Sequence, residues 1–293
     1  NIYNKIDNRK FDFFFSEFDF NNPWIKSAKN NNIKVIHYPS SPKLFPKVKS
    51  KTYRPRYNLY GNLLILNSRF DYHYWKKLRI KPPIFISGYP KFDNYWIKKI
   101  TQNKKILKDN SKCTFLYSYK YNFEFYTDKQ KKIVEEYIKN IISIILSNKN
   151  NRIIFKLHPR TKLENLNKII KNFSKDQIVI SKKHLYELLM LSDYSLSEPL
   201  SSVFLDSLAL KVPPIELFLN DILDIDKNLK LYSKLGLAIP TNNLKKFNYI
   251  INEKKKLALL GNKCVKSFFK IYKKDHNDAK KTYQYIISYF LNA

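Results

Sequence analysis

Arg152–Arg160 reads RIIFKLHPR, and further on Ser192–Leu217 reads SDYSLSEPLSSVFLDSLALKVPPIEL. The first segment is an apolar run closed by Lys156-x-His158-Pro159-Arg160. Proline removes a ladder donor and fixes φ, so it stops the strand and leaves His158 at its carboxyl edge. The second segment holds a short strand, the pair Ser201-Ser202 and then an apolar helix. Open α/β sheets hold their ligands just beyond the carboxyl ends of their strands. Both motifs fall there, which points to a nucleotide or phosphate site.

Elements on either side of this stretch alternate in the same way. Phe11–Phe15, Ile33–His37, Asn62–Leu66 and Pro83–Ser87 read as buried strands, with helices from Pro23 and over Tyr72–Leu78 between them. Tyr38–Tyr57 carries Pro39, Pro42, Pro46 and Pro55 and reads as a loop. A second series starts at Cys113–Tyr117 and continues with the helix Asp128–Ser147 and the strand Arg152–Leu157. That helix puts Ile133, Val134, Tyr137, Ile138, Ile141, Ile142 and Ile145 on one broad face. Thr161 followed by Glu164 has the spacing of a capping box. Strands Gln177–Ile180, Asp193–Leu196 and Pro214–Leu217 follow, separated by helices His184–Leu191 and Ser201–Leu210, and from Leu244 the pattern is helical with Lys-rich outer faces. Such alternation means parallel sheets with helical crossovers. The expected fold class is α/β: two Rossmann-like domains with C-terminal helices, the outline of a GT-B enzyme. The expected divisions are 1–100, an acceptor domain; 101–243, a nucleotide-donor domain; and 244–293, the terminal helices.

Composition narrows the function. Hydrophobic content of 44% and aromatic content of 16% exclude wholesale disorder. No apolar run approaches the roughly eighteen residues that a membrane span needs. Cys113 and Cys264 are the only cysteines, which excludes a disulfide framework or a multi-cysteine zinc site and fits a reducing compartment. The four glycines, Gly61, Gly88, Gly236 and Gly261, form neither a P-loop nor a G-x-G-x-x-G. The chain begins at Asn1 and its only methionine is Met190, so a natural start upstream is expected, in keeping with a first half that is short for the fold. The formal charge of +31 is spread over every segment of a chain rich in Lys, Asn, Ile and Tyr, as AT-rich genomes encode. It leaves a pull toward anionic membrane surfaces, but there is no motif for reading nucleic acid, which is not an expected partner.

His158 can donate to a phosphate oxygen, Lys156 adds positive charge, and the Arg160 guanidinium has a fork suited to phosphate. The bland alternative for His158 is a strand-end residue capping a carbonyl. Ser201 and Ser202 open a helix whose N–H groups and dipole favour an anion, although serine is also an ordinary N-cap. Asp206 lies one turn past Ser202, placed to meet a ribose or sugar hydroxyl, and Glu198 stands just ahead of the pair. In the first half, Glu17, Asp19 and His37 end strands and are the candidate catalytic bases, with a turn carboxylate or a second phosphate contact as the alternatives. Asp224-Ile225-Asp226 is a D-x-D that chance or a helix start explains.

K-x-H-P-R after a strand, followed by S-S-x-x-x-x-D before an apolar turn, resembles the C-terminal half of bacterial surface-glycan transferases. These include sialyltransferases with His-Pro and Ser-Ser or Ser-Thr motifs, capsular Kdo transferases and CDP-glycerol glycerophosphotransferases. Gly88-Tyr89-Pro90-Lys91-Phe92-Asp93 is similar to the phrase that closes their first domain, and the resemblance spans roughly residues 84 to 217. It implies that His158, Ser201 and Ser202 bind the phosphate of a CMP- or CDP-activated donor. Where those sialyltransferases have an acidic pair followed by glycine, this chain has Ser16-Glu17-Phe18-Asp19.

The expectation is therefore a glycosyltransferase, inverting and needing neither cofactor nor metal. It would move a sugar from a CMP-activated donor to a capsule, lipooligosaccharide or lipid-linked glycan acceptor in the cytoplasm, at the inner membrane face. The alternatives are a CDP-glycerol-type polyol-phosphate transferase, a UDP-sugar GT-B enzyme or 2-epimerase, and a non-catalytic basic protein that binds polyanions.

Overall fold

The computed structural model describes residues 12–16, 23–38, 61–69, 71–72, 82–102, 109, 111–121, 124, 126–159, 161–199, 201–223, 231–272 and 278–291. Contacts divide the chain into two compact units, residues 1–93 with 271–293, and residues 94–270.

The first unit has a parallel sheet of β1 (Phe13–Ser16), β2 (Lys34–His37), β3 (Leu63–Leu66) and β4 (Ile84–Ile86), in that spatial order. β3 is buried along its whole length, as its LLIL sequence requires of a strand covered on both faces. Helix α1 (Pro23–Asn30) packs Ile25 and Ala28 on Val35. The opposite face, Ile36, Leu63 and Ile65, is covered from the other end of the chain by Ile286. The Tyr285 ring stacks on Phe85 at 3.8 Å, and Phe290 meets Phe13 at 5.3 Å.

Two aspartates tie that terminal helix down. The Asp93 carboxylate accepts hydrogen bonds from the first-turn N–H groups of Asp278 and Ala279 at 2.9 and 2.8 Å. The Asp278 carboxylate in turn accepts from the Tyr89 N–H at 2.9 Å. Gly88 adopts φ +84°, and a Cβ there would lie 2.2 Å from the same carboxylate, so the segment that closes the first unit's sheet requires glycine on both counts.

The second unit begins with α2 (Asn94–Gln102) and alternates strand and helix. Its elements are β5 (Cys113–Tyr119), α3 (Asp128–Leu146), β6 (Asn151–Leu157), α4 (Leu163–Ile170), β7 (Ile178–Ser181), α5 (Leu185–Met190), β8 (Tyr194–Ser197), α6 (Val203–Ala209) and β9 (Pro214–Glu216). Short helices α7 (Leu219–Ile222) and α8 (Leu231–Lys234) lead to β10 (Ile239–Pro240), α9 (Leu244–Asn252), α10 (Lys254–Tyr272) and, back in the first unit, α11 (Asp278–Leu291). The sheet is parallel throughout and ordered β10-β9-β8-β5-β6-β7. Counted from β5, that is the doubly wound order of a dinucleotide-binding fold, with its reversal between β5 and β8. One face packs Leu116 and Ile154 on Leu188 and Leu189 of α5. α3 buries Val134, Tyr137, Ile138, Ile141, Ile142 and Ile145, while Ile133 of the expected stripe stays half-exposed.

One expectation is corrected. The capping box at Thr161–Glu164 does not form: Thr161 N–H donates to the His158 carbonyl in the turn after β6, and α4 starts two residues on without a side-chain cap. A capping box does form at α3, between Thr127 and Gln130. The expected helix Tyr72–Leu78 lies almost wholly outside the described residues.

Candidate functional site

The reversal between β5 and β8 sets where a ligand site can form in the second unit. β5 ends at Tyr119, β6 at Leu157 and β8 at Ser197, so Tyr121, His158, Glu198, Ser201 and Ser202 all follow carboxyl ends of neighbouring strands. His158 N–H donates to the Tyr119 carbonyl at 2.9 Å, tying the end of β6 to β5. Lys156 is level with Ser118 on β5 and Ser181 on β7, half-buried, on the same strand face as Ile154.

Ser202 precedes α6 in helical conformation, and its side chain makes no capping hydrogen bond. The ordinary capping role considered for this serine pair is therefore not taken up by Ser202, which is exposed, with Ser201 half-buried beside it. Asp206, buried, accepts a hydrogen bond from the Tyr186 hydroxyl at 2.9 Å, which gives this carboxylate a structural partner on α5. Burial, followed by the Asp206 charge, raises the Tyr186 phenol above its usual range.

Glu198 is the most elaborately held of the expected residues. One carboxylate oxygen accepts from the Tyr121 hydroxyl and from the Tyr137 hydroxyl at 3.0 Å. The other accepts from the Leu219 N–H at 3.1 Å. Tyr121 is linked in turn to Tyr117 through their hydroxyls at 3.0 Å. Desolvation is the largest influence and pushes the Glu198 carboxyl up to about 7, the three donors pulling the other way and the Glu216 charge adding to the rise. Sequence reasoning missed this tyrosine cluster. Its signal was the alternation Tyr117, Tyr119, Tyr121, which period two places on one face of β5 and of the extended residues that follow it.

In the first unit, His37 ends β2 with 2% of its surface exposed. Burial, opposed by a bond with the Ser16 backbone and assisted by the Lys29 charge, lowers its imidazole to about 4. A ring held neutral near pH 7 would meet a phosphate as an uncharged N–H donor, and as a base it is weaker than an ordinary imidazole. Gly61 makes room for it: a Cβ there would lie 2.3 Å from the ring. Glu17, Asp19 and Arg160, and Asp224 with Asp226, lie outside the described residues. Among the described residues, no cluster of three or more His, Cys, Asp or Glu is arranged to hold a metal ion, and no helix is long and apolar enough to cross a membrane.

By sequence the chain matches no protein-family model and no curated protein. Solved structures do match over nearly its whole length. An S. aureus MnaA structure with UDP superposes with a TM-score of 0.68 at 12% identity, covering 99% of this chain and 79% of that one. UDP-GlcNAc 2-epimerase from Neisseria meningitidis, bound to UDP-GlcNAc, gives 0.66 at 11% identity, covering 98% and 79%. A variant of the wall teichoic acid polymerase TagF soaked with CDPG gives 0.58 at 16% identity, covering 96% and 73%. The fold is GT-B.

Proposed function

We propose that this chain is a nucleotide-sugar enzyme whose second unit binds a UDP- or CDP-activated donor. His158, Ser201 and Ser202 contact the diphosphate, with Lys156 and Arg160 adding positive charge. One observation carries the reading: the donor candidates follow the carboxyl ends of β6 and β8, on either side of the strand where the order reverses. Structures sharing the fold carry UDP, UDP-GlcNAc or CDPG, which favours a nucleoside diphosphate over the CMP-sugar expected from the motifs.

In this reading the enzyme breaks the bond between the donor's sugar or polyol phosphate and its nucleotide. Fixed donors at the phosphate stabilise the charge that develops on the leaving group. His37, buried and neutral, leaves Glu17 and Asp19 as the proposed bases for an acceptor hydroxyl. A saccharide or lipid-linked acceptor and a cytoplasmic site of action at the membrane's inner face belong to the same proposal.

The test is a thermal-shift panel with UDP, CDP, CMP and inorganic phosphate at fixed salt, run on the wild type and on His158→Ala. A ligand that binds only the folded state raises the melting temperature by mass action. The expected result is a selective shift with UDP or CDP that His158→Ala abolishes. Equal shifts with every anion, or a UDP shift that survives His158→Ala, would overturn the reading. Incubation with UDP-GlcNAc then separates the classes: 2-epimerisation needs no acceptor, whereas transfer releases UDP in step with acceptor.

A further inference from the structure

A cavity of about 570 Å³ opens at the opposite edge of the second unit's sheet. It is lined by Cys113, the first residue of β5, Tyr194, the first of β8, and Pro213, just before β9. β6 alone separates the two edges by six residue steps, about 20 Å at strand rise. The cavity is therefore distinct from the donor site.

Its lining mixes cationic and apolar side chains. Lys112, Lys211 and Lys254 line it, and none of them forms an ion pair among the described residues. The one acidic lining residue, Asp193, accepts the Thr114 N–H at 2.8 Å. Lys254 begins α10, a helix of nineteen residues whose first-turn N–H groups add to the positive potential. Pro213 and Tyr194 also line it, the Tyr194 ring backed by Phe115 at 5.5 Å.

The end of α6 fixes how Lys211 is held. It sits after α6 with φ +61°, in a turn where Val212 N–H reaches the Ser207 carbonyl and its own N–H reaches Leu208. This is the Schellman turn, whose left-handed position ordinarily takes glycine. Holding a lysine in that conformation is unfavourable.

We propose that this cavity binds a small phosphate ester, its phosphate against Lys112, Lys211 and Lys254 and its organic body against Tyr194 and Pro213. The size and mixed lining match a small-molecule site rather than a bare ion site.

The chain provides its own reporter. Cys113 lines the cavity and is half-buried, while Cys264 is buried and its thiol is pushed up to about 12 by desolvation, which leaves it unreactive. Labelling with a chromogenic disulfide reagent therefore reads Cys113, with Cys113→Ser as the blank. Millimolar UMP, glucose 1-phosphate and inorganic phosphate are the probes, the first two distinguishing a nucleotide from a sugar phosphate. Labelling should slow at least fivefold with one of the esters and much less with inorganic phosphate. The protection should persist in His158→Ala and be lost in Lys211→Gln/Lys254→Gln, and also in Lys211→Gly, which suits the turn. No protection, equal protection by inorganic phosphate, or protection unchanged in the lysine variants would each overturn the site. Because His158 is tested separately, failure of the donor-site reading leaves this result standing.

Discussion

The two units hold opposite kinds of ionisable group, a buried histidine and a half-buried glutamate, at carboxyl ends of their strands. In the first, β2 ends on His37, packed against Gly61 and lowered to about 4. In the second, β8 runs into Glu198, raised to about 7 although three donors converge on it. Burial dominates in both, but it disfavours a cation in one unit and an anion in the other, so the two respond to pH in opposite directions. Below its ordinary 6.5, unfolded His37 gains a proton that the folded ring refuses, so the first unit loses stability as pH falls through 6.5 to about 4. Between its ordinary 4.5 and about 7, folded Glu198 keeps a proton that the unfolded chain has lost, so the second unit loses stability as pH rises through that window. Edges of otherwise similar sheets thus acquire contrasting pH limits from a single residue each.

The sharpest way to break this contrast is Gly61→Ala. Its Cβ must displace a buried imidazole 2.3 Å away, and the first unit should lose about 3 to 4 kcal/mol. Urea unfolding in a Trp96→Phe background, where the remaining tryptophans belong to the first unit, measures this directly. An unchanged first-unit midpoint would mean that His37 is not confined as described.

Glu198→Gln comes next. A tenfold difference in proton affinity between folded and unfolded chains is worth about 1.4 kcal/mol. Between pH 4.5 and about 7 the wild-type second unit should therefore lose roughly 3 kcal/mol relative to the variant. Parallel stability profiles for the two proteins over that range would show that the carboxyl titrates normally.

Asp93→Ala removes the acceptor for two first-turn N–H groups of α11, with an expected loss of about 2 kcal/mol confined to the first unit. Hydrogen exchange should then show α11 opening while α3 and β5 keep their protection. The smallest effect should be a gain: Lys211→Gly relieves a left-handed lysine and should stabilise the second unit by about 1 kcal/mol, or about 2–4 °C. A lower melting temperature would place that lysine in a favourable contact rather than a strained one.

The strands were legible because runs such as Leu63–Leu66 and Ile153–Phe155 are apolar on both faces and are closed, at once or a few residues on, by Asn67 and Pro159. α3 was legible because six apolar residues repeat at helical spacing. The destination of α11 was not, since an amphipathic stripe does not say which sheet will cover it, and the aspartates that decide it, Asp93 and Asp278, are 185 residues apart. His158 and the serine pair could be placed at the sheet's edge because Pro159 ends the strand. The partners of Glu198 could not, because Tyr137 comes from a helix whose rotation is set only on packing. Thr161–Glu164 shows the converse error, a valid local pattern overridden by a turn that took Thr161 first.

The return of α11 to the first unit also sets the order in which this protein can mature on a ribosome. Residues 94–270 emerge as one uninterrupted stretch and can fold while synthesis continues. The sheet that appears first can pack α1 on one face at once, but the cover over Ile36, Leu63 and Ile65 comes only with Ile286. A premature stop before Asp278 should therefore leave the second unit intact beside a first unit that lacks this cover.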